Sequence, residues 1–147
     1  SSLNLIEDTM RHDHNVIFVA ESDHTDGDTV RVYRGGDGFE AEICLYNKSL
    51  AGYLISNMIS FETELLRIAV KEEVRGMGIG KLLMGAYLNY MEYICAKSFL
   101  EVRDKNTVAK MLYERLGFRN ISIRKNYYSA PVEDAVIYEY IFDSVAK

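Results

Sequence analysis

The stretch Val74-Arg75-Gly76-Met77-Gly78-Ile79-Gly80-Lys81 decides the fold of this chain. Its three glycines alternate with other residues directly after a mostly apolar run at 65–70, and a helical pattern follows from Lys81 to about Lys97. A strand that runs through a glycine-rich turn into a helix N-terminus suits an anion, because the first-turn N–H groups lack intrahelical partners and the helix dipole is positive there. Glycine also lets a phosphate approach the backbone. The stretch therefore predicts a phosphate-binding loop, with a strand–helix turn that binds nothing as the alternative.

Spacing separates this loop from two common nucleotide-binding motifs. A dinucleotide fingerprint needs its third glycine at position 81, which is Lys81. The phosphate loop of nucleotide hydrolases needs glycine at position 75 and a hydroxyl residue after the lysine, but Arg75 and Leu82 occupy these positions. The remaining pattern, Arg-x-x-Gly-x-Gly, resembles the acetyl-CoA pyrophosphate loop of the GNAT acetyltransferase superfamily.

Length and composition predict a single domain, residues 1–147, with one core. The chain has 147 residues, 48% of them hydrophobic and 27% charged, which is typical of globular proteins. The formal net charge of −5 argues against nucleic-acid binding. A polyanionic ligand would then depend on local donors, namely Arg75, Lys81 and the loop amides. We also expect a cytoplasmic protein without membrane contact, because no signal peptide is visible and no apolar run approaches the length of a membrane span.

The cysteines and histidines carry no metal-ligand pattern. Cys44 and Cys95 lie in apolar runs without Cys-x-x-Cys spacing, which predicts buried free thiols. His12, His14 and His24 lie among acidic residues near the start of the chain and are expected to be solvated rather than to bind metal. We therefore expect no metal site.

Hydrophobic periodicity predicts a mixed α/β chain. Strands are expected at residues 16–20, 29–34, 39–46, 50–59, 61–70, 99–103, 118–128 and 135–142. Helices are expected around 5–10, at 81–97 and at 107–116, the last capped by Asn106 and stopped by Gly117. The first strands, joined by turns at 26–28 and 35–38, are typical of an antiparallel meander. The strand, helix and strand that follow predict a right-handed parallel crossover.

The second half of the chain carries further motifs of the same superfamily. Leu100-Glu101-Val102-Arg103-Asp104-Lys105-Asn106, then Leu112-Tyr113-Glu114 and Leu116-Gly117-Phe118, resembles the GNAT pattern Leu-Glu-Val-Arg-x-x-Asn…Leu-Tyr-x-x-x-Gly-Phe. The tail Arg124-Lys125-Asn126-Tyr127-Tyr128 with Glu133-Asp134-Ala135 is similar to one branch, the RimI-like ribosomal-protein alanine acetyltransferases and archaeal protein N-terminal acetyltransferases. The resemblance covers residues 60–142, whereas the first 60 residues diverge. It implies the GNAT fold, an α/β (α+β) architecture: a mixed, mostly antiparallel sheet with a central parallel, splayed strand pair and flanking helices.

The resemblance also implies a reaction and roles for three side chains. The reaction is acetyl transfer from acetyl-CoA to a primary amine, first of all the N-terminal α-amine of a protein or peptide. Glu101 corresponds to the general base of the RimI-like branch, Glu64 to the base of many lysine-acetylating relatives, and Tyr113 to the general acid. The alternatives are a solvated or Arg103-paired carboxylate for Glu101, a surface acid for Glu64 and a core tyrosine for Tyr113.

Binding residues follow from the same resemblance. The expected CoA contacts are Ile68, Ala69, Val70, Arg75, Gly76, Met77, Gly78, Ile79, Gly80, Lys81, Asn106 and Tyr113. Tyr127 and Tyr128 resemble the paired tyrosines that line a peptide groove, with aromatic cover over the end of the sheet as the alternative. Two other functions stay open: acetylation of a small-molecule amine or a lysine, and a CoA-binding sensor without turnover. The oligomeric state is also open, a homodimer included.

Overall fold

The computed structural model describes residues 14–23, 27–35 and 50–143. The described strands are β1 (Asn15–Asp23), β2 (Gly27–Arg34), β3 (Leu50–Ile59), β4 (Glu62–Val70), β5 (Lys97–Arg103), β6 (Arg119–Ser129) and β7 (Val132–Ile141). The described helices are α1 (Ile79–Met91) and α2 (Thr107–Leu116), with a 3₁₀ turn at Glu72–Val74 between β4 and α1. The expected helix at 5–10, the strand at 39–46, and residues Cys44, His12 and His24 lie outside the described residues.

Within the described residues the strands form one sheet in the order β2-β1-β3-β4-β5-β7-β6. Every neighbouring pair is antiparallel except β4 with β5, which confirms the mixed sheet with a central parallel pair. The prediction of an antiparallel meander for the first strands was wrong, because β1 lies between β2 and β3. Residues 16–20 of β1 are at most 1% exposed, and a strand buried on both faces suits the interior of a sheet.

The two faces of the sheet carry separate apolar clusters. On one face, α1 packs over β1, β3 and β4, and its Tyr87 ring lies edge-on to Phe18, with centroids 5.7 Å apart. Tyr113 of α2 belongs to the same cluster. On the other face, Ile17 and Tyr53 belong to a second cluster. No helix in the described part of the chain is long and apolar enough to cross a membrane.

Helix α1 ends at Met91, six residues before the predicted end near Lys97. Residues 94 and 95 continue the apolar pattern, so the periodicity alone extends the helix. The chain has joined the sheet by Ala96, however, because its N–H donates to the carbonyl oxygen of Phe61 at 2.6 Å. Cys95 lies in this turn as a buried free thiol, as predicted, and burial raises its pKa.

Helix α2 has the predicted bounds and both predicted caps. The side chain of Asn106 accepts a hydrogen bond from the N–H of Ala109 at 3.1 Å. Gly117 ends the helix with a φ of 105°, in the left-handed region that glycine adopts most readily.

Candidate active site

The central parallel pair is short and opens into a wedge. β4 and β5 pair only from Glu62 to Leu65 on one strand and from Lys97 to Leu100 on the other. Beyond these residues β4 stays with β3 and β5 stays with β7. The register between β3 and β4 shifts at this point and leaves Leu66 as an extra residue on β4. Because such a bulge bends the strand that contains it, the two strands separate toward their C-terminal ends.

Ile68, Ala69 and Val70 lie on the edge of β4 that borders the wedge. They pair with β3 on one side, and no described strand pairs with them on the other. An unpaired strand edge presents main-chain N–H and C=O groups that an extended ligand can use as if it were a further strand. This edge leads through the 3₁₀ turn at Glu72–Val74 into the glycine loop.

The glycine loop presents open space above main-chain amides. Gly76 and Gly78 have φ values of 80° and 84°, which side chains rarely adopt. A Cβ added at either glycine would meet no protein atom within 4 Å. No side chain caps α1, whose N-cap is Gly78, so its first-turn N–H groups can bind a ligand. These residues fit a diphosphate.

The side chains of the loop divide into exposed and anchoring groups. The Nε of Arg75 donates to the carbonyl oxygen of Val70 at 3.1 Å, which ties the loop to the end of β4 and leaves further guanidinium N–H donors. Lys81 is exposed on the first turn of α1. Met77 is exposed, whereas Ile79 is buried in the core. Ile79 can therefore offer a ligand its main-chain groups but not its side chain.

Glu64 and Glu101 lie on the same face of the sheet, opposite α1. Glu64 is paired with Phe99 in the register of β4 and β5, and Glu101 is two residues farther along β5. Since side chains alternate along a strand, both carboxylates point to one face. The main-chain N–H of Glu64 donates to Oδ1 of Asn57 at 3.2 Å.

The ion-pair partner of Glu101 is Arg124 rather than Arg103. The guanidinium of Arg124 lies 3.3 Å from the carboxylate of Glu101, whose side chain is 24% exposed. Arg103 instead lies 3.4 Å from Glu133 and places its guanidinium 4.1 Å from the ring centre of Tyr128. Burial raises the pKa of Tyr128, and the negative charge of Glu101 raises it further.

Tyr127 and Tyr128 lie at an irregular segment of β6. Residues 125–127 stand opposite the single residue Asp134, and Asn126 adopts a φ of 53° while its N–H donates to that carboxylate at 2.8 Å. The two tyrosine rings meet edge to face with centroids 5.2 Å apart. The guanidinium of Arg124 lies 5.4 Å from the ring centre of Tyr127.

Tyr113 and Asn106 come from helix α2. Tyr113 is 5% exposed and packs against Phe118 and Tyr138. Burial raises its pKa, so the phenol is protonated at neutral pH. Asn106 uses its Oδ1 for the helix cap, which leaves its NH₂ group as a donor.

The sequence did not reveal two features of this site. One is the contact between Arg124 and Glu101, and the other is a cavity of about 640 Å³ whose walls include Glu64 and Phe99. Alternation along β5 places Phe99 and Glu101 on one face, which is the only signal for the cavity in the sequence. Among the described ranges, no three His, Cys, Asp or Glu side chains are grouped as metal ligands.

Known proteins share the sequence of much of this chain. Residues 7–118 match the model of the acetyltransferase (GNAT) family. The chain is similar to the [ribosomal protein bS18]-alanine N-acetyltransferase of Haemophilus influenzae, with 37% identity over 95 residues, 62% of this chain and 64% of that protein. The chain thus spans slightly less than two thirds of this curated relative.

Solved structures share the fold. The ribosomal-protein-S18-alanine N-acetyltransferase of Escherichia coli has a TM-score of 0.63 and 27% identity, covering 74% of this chain and 81% of that one. Ard1 of Thermoplasma volcanium has a TM-score of 0.60 and 32% identity, covering 65% and 66%. These matches confirm the resemblance inferred from the motifs. Since the family model matches well over half of the residues, the chain belongs to the acetyltransferase (GNAT) family.

Proposed function

We propose that this chain transfers the acetyl group of acetyl-CoA to the N-terminal α-amine of a protein or peptide. The observation that carries the proposal is the wedge between β4 and β5, which has the glycine loop at its mouth and Glu101 on the face opposite α1. The relatives named above supply the acceptor class, because two of them are named as alanine N-acetyltransferases of a ribosomal protein.

In this proposal acetyl-CoA binds along the loop and the free edge of β4. The amides of Gly76 to Lys81, with Arg75 and the Lys81 ammonium, hold the diphosphate at the start of α1. The main chain of residues 68–70 pairs with the pantetheine arm as an additional strand. The NH₂ group of Asn106 contacts the same arm, and the thioester then lies within the wedge near Tyr113.

Proton transfer from the amine is assigned to Glu101. An α-amine has an unperturbed pKa of about 7.7–8.0 against about 10.4 for lysine, so a modest base suffices at neutral pH. Arg124 holds the Glu101 carboxylate in place. Glu64 is paired with Phe99, two residues before Glu101 on β5, and points to the same face of the sheet. It serves as a helper or as the alternative base.

The remaining groups act on the thioester. As the amine nitrogen forms its bond to the carbonyl carbon, a main-chain N–H of residues 68–70 donates to the carbonyl oxygen. The C–S bond then breaks and Tyr113 donates its phenolic proton to the thiolate. Burial raises the pKa of Tyr113, so the phenol carries the proton that this step requires at neutral pH. Tyr127 and Tyr128 line the acceptor side.

A peptide panel tests the proposal. Peptides with different first residues are incubated with acetyl-CoA, and release of free CoA thiol is followed together with the mass of the peptide. The panel includes N-terminally blocked lysine peptides and polyamines. We expect acetylation of free α-amines only. Turnover of polyamines or blocked lysine peptides without any turnover of α-amines would overturn the proposed acceptor class, and binding of acetyl-CoA without turnover of any amine would favour a sensor.

A further inference from the structure

The face of the sheet that carries Glu101 also holds the cavity of about 640 Å³. Two rows of directly paired residues across β3, β4 and β5 form its floor: Asn57, Glu64 and Phe99 in one row, and Ile59, Glu62 and Lys97 in the next. Paired residues point to the same face of a sheet. The residue between the two glutamates, Thr63, is buried on the α1 side and hydrogen-bonds Tyr87. The cavity is therefore on the opposite face.

The cavity continues from the position of the proposed base. Glu101 follows Phe99 by two residues on β5, a distance of about 7 Å along a strand. The row that contains Glu62 and Lys97 is one such step farther, about 14 Å from Glu101. A volume of about 640 Å³ is within the range of natural ligand pockets. A group attached to the reacting amine can therefore extend into it.

The charge inside this cavity is negative. Lys97 is compensated, because its Nζ lies 3.7 Å from the carboxylate of Glu139. Neither Glu62 nor Glu64 has an ion-pair partner in the part of the chain that the structure describes. The ring of Phe99 adds an aromatic surface, which also attracts cations. A ligand that combines an aliphatic stem with a positive charge complements these walls.

We propose that the cavity binds a basic side chain close to the N-terminus of the acceptor peptide. This inference rests on the proposed function, since it takes the α-amine to lie at Glu101. An extended peptide advances about 3.3–3.6 Å per residue, so lysine or arginine at the second to fourth position reaches the two rows. The stem packs on Phe99 and Ile59, and the charge lies between Glu62 and Glu64.

Three peptides that differ only at the third residue, lysine, glutamine or glutamate, test the inference. An exposed charge contact contributes up to about 1 kcal/mol, equivalent to a factor of about five. We therefore expect the KM of the lysine peptide to be about fivefold below that of the glutamine peptide, and the KM of the glutamate peptide to be higher still. The difference should shrink in high salt.

Two variants with the same change in net charge locate the effect. Glu62→Lys should remove the preference for lysine through KM. Glu92→Lys, at the C-terminal end of α1 on the other side of the sheet, should keep it. Equal KM values for all three peptides in the wild type would overturn the inference and leave the proposed function intact. Silence on every α-amine would overturn the proposed function itself. Acetylation of the lysine side chain in an N-terminally blocked peptide would show that the cavity receives the reacting amine, which also overturns the inference.

Discussion

Glu101 and Arg124 form an ion pair across an intervening strand. Their charged groups lie 3.3 Å apart, although Glu101 is on β5, Arg124 is on β6 and β7 runs between them. Their partners on β7 are Ile137 and Ala135. Because Ala135 carries only a methyl group, it leaves room above β7 for the two long side chains to meet. The proposed base is thus tied to the outermost strand of the sheet.

Replacing each candidate base tests the assignment of Glu101. Glu101→Gln keeps the shape of the side chain but cannot accept the proton, so we expect kcat to fall about 100-fold or more with an α-amine peptide. Glu64→Gln should change kcat by less than about tenfold. Steady-state kinetics measures both, and calorimetry should show unchanged acetyl-CoA affinity. Full activity of Glu101→Gln together with loss in Glu64→Gln would move the base to Glu64.

Arg124 should act as a positioning residue for Glu101. Arg124→Met removes the cation, so we expect kcat to fall about fivefold while the free energy of unfolding changes little, because the arginine side chain is 57% exposed. Arg124→Lys should restore most of the activity. Lys125→Met removes a neighbouring cation that lies 3.6 Å from Asp134 and is the matched control, expected to have normal kcat. A fully active Arg124→Met variant would show that the ion pair has no part in catalysis.

Tyr113→Phe removes only the hydroxyl of the proposed general acid. Since the ring keeps its packing against Phe118, we expect nearly unchanged stability and acetyl-CoA affinity, with kcat lower by about 100-fold. Tyr138→Phe is the control, because that buried hydroxyl donates to Glu114 at 3.1 Å. It should lower the free energy of unfolding by about 1 kcal/mol and leave kcat near normal. A Tyr113→Phe variant with normal turnover would exclude this phenol as the acid.

The elements of this fold were predictable where their signals are local. For the seven described strands, the predicted bounds agree to within three residues, the largest differences being at the end of β1 and the start of β7. The caps Asn106 and Gly117 act within one turn of α2, so the sequence alone identifies both. The place of β1 between β2 and β3 was not predictable, because alternation shows which face a residue takes but not which strand lies beside it. The end of α1 was missed for a related reason, since the hydrogen bond of Ala96 to the sheet is a tertiary contact.

The features of the candidate site likewise include some that were predictable from the sequence and some that were not. The glycine loop, Glu101 and Tyr113 belong to contiguous motifs, so the resemblance could locate them in the chain. The contact between Glu101 and Arg124, and the cavity beside Glu64, depend on register across several strands. No periodicity within one strand contains that information.

Gly78→Glu tests the loop as the diphosphate site. Residue 78 has a φ of 84°, so any side chain strains the backbone by about 1–2 kcal/mol. The glutamate also places negative charge where the phosphates would lie. We expect calorimetry to detect no acetyl-CoA binding, while circular dichroism shows a folded protein. Gly85→Ala is the control, because residue 85 lies beyond the loop within α1 and its Cβ would meet no protein atom within 4 Å, so this variant should bind normally. Undiminished affinity in Gly78→Glu would place the cofactor elsewhere.

Tyr87→Phe should weaken the junction from which the wedge opens. The Tyr87 hydroxyl lies 2.7 Å from Ser98 and 3.1 Å from Thr63, which are direct partners in the parallel pair. Burial raises the pKa of Tyr87 to about 12, against about 10 in the unfolded chain. The folded protein therefore keeps a proton that the unfolded chain releases, so this contribution to stability is complete below pH 10 and is lost between pH 10 and about 12.

Urea unfolding at pH 7 should show a loss of about 1–3 kcal/mol in the free energy of unfolding of Tyr87→Phe. Between pH 10 and 12 its free energy of unfolding should fall less steeply than that of the wild type, by up to about 1.4 kcal/mol per pH unit. Tyr93→Phe, at a tyrosine that is 73% exposed, should match the wild type throughout, and parallel curves for all three proteins would refute the role of Tyr87.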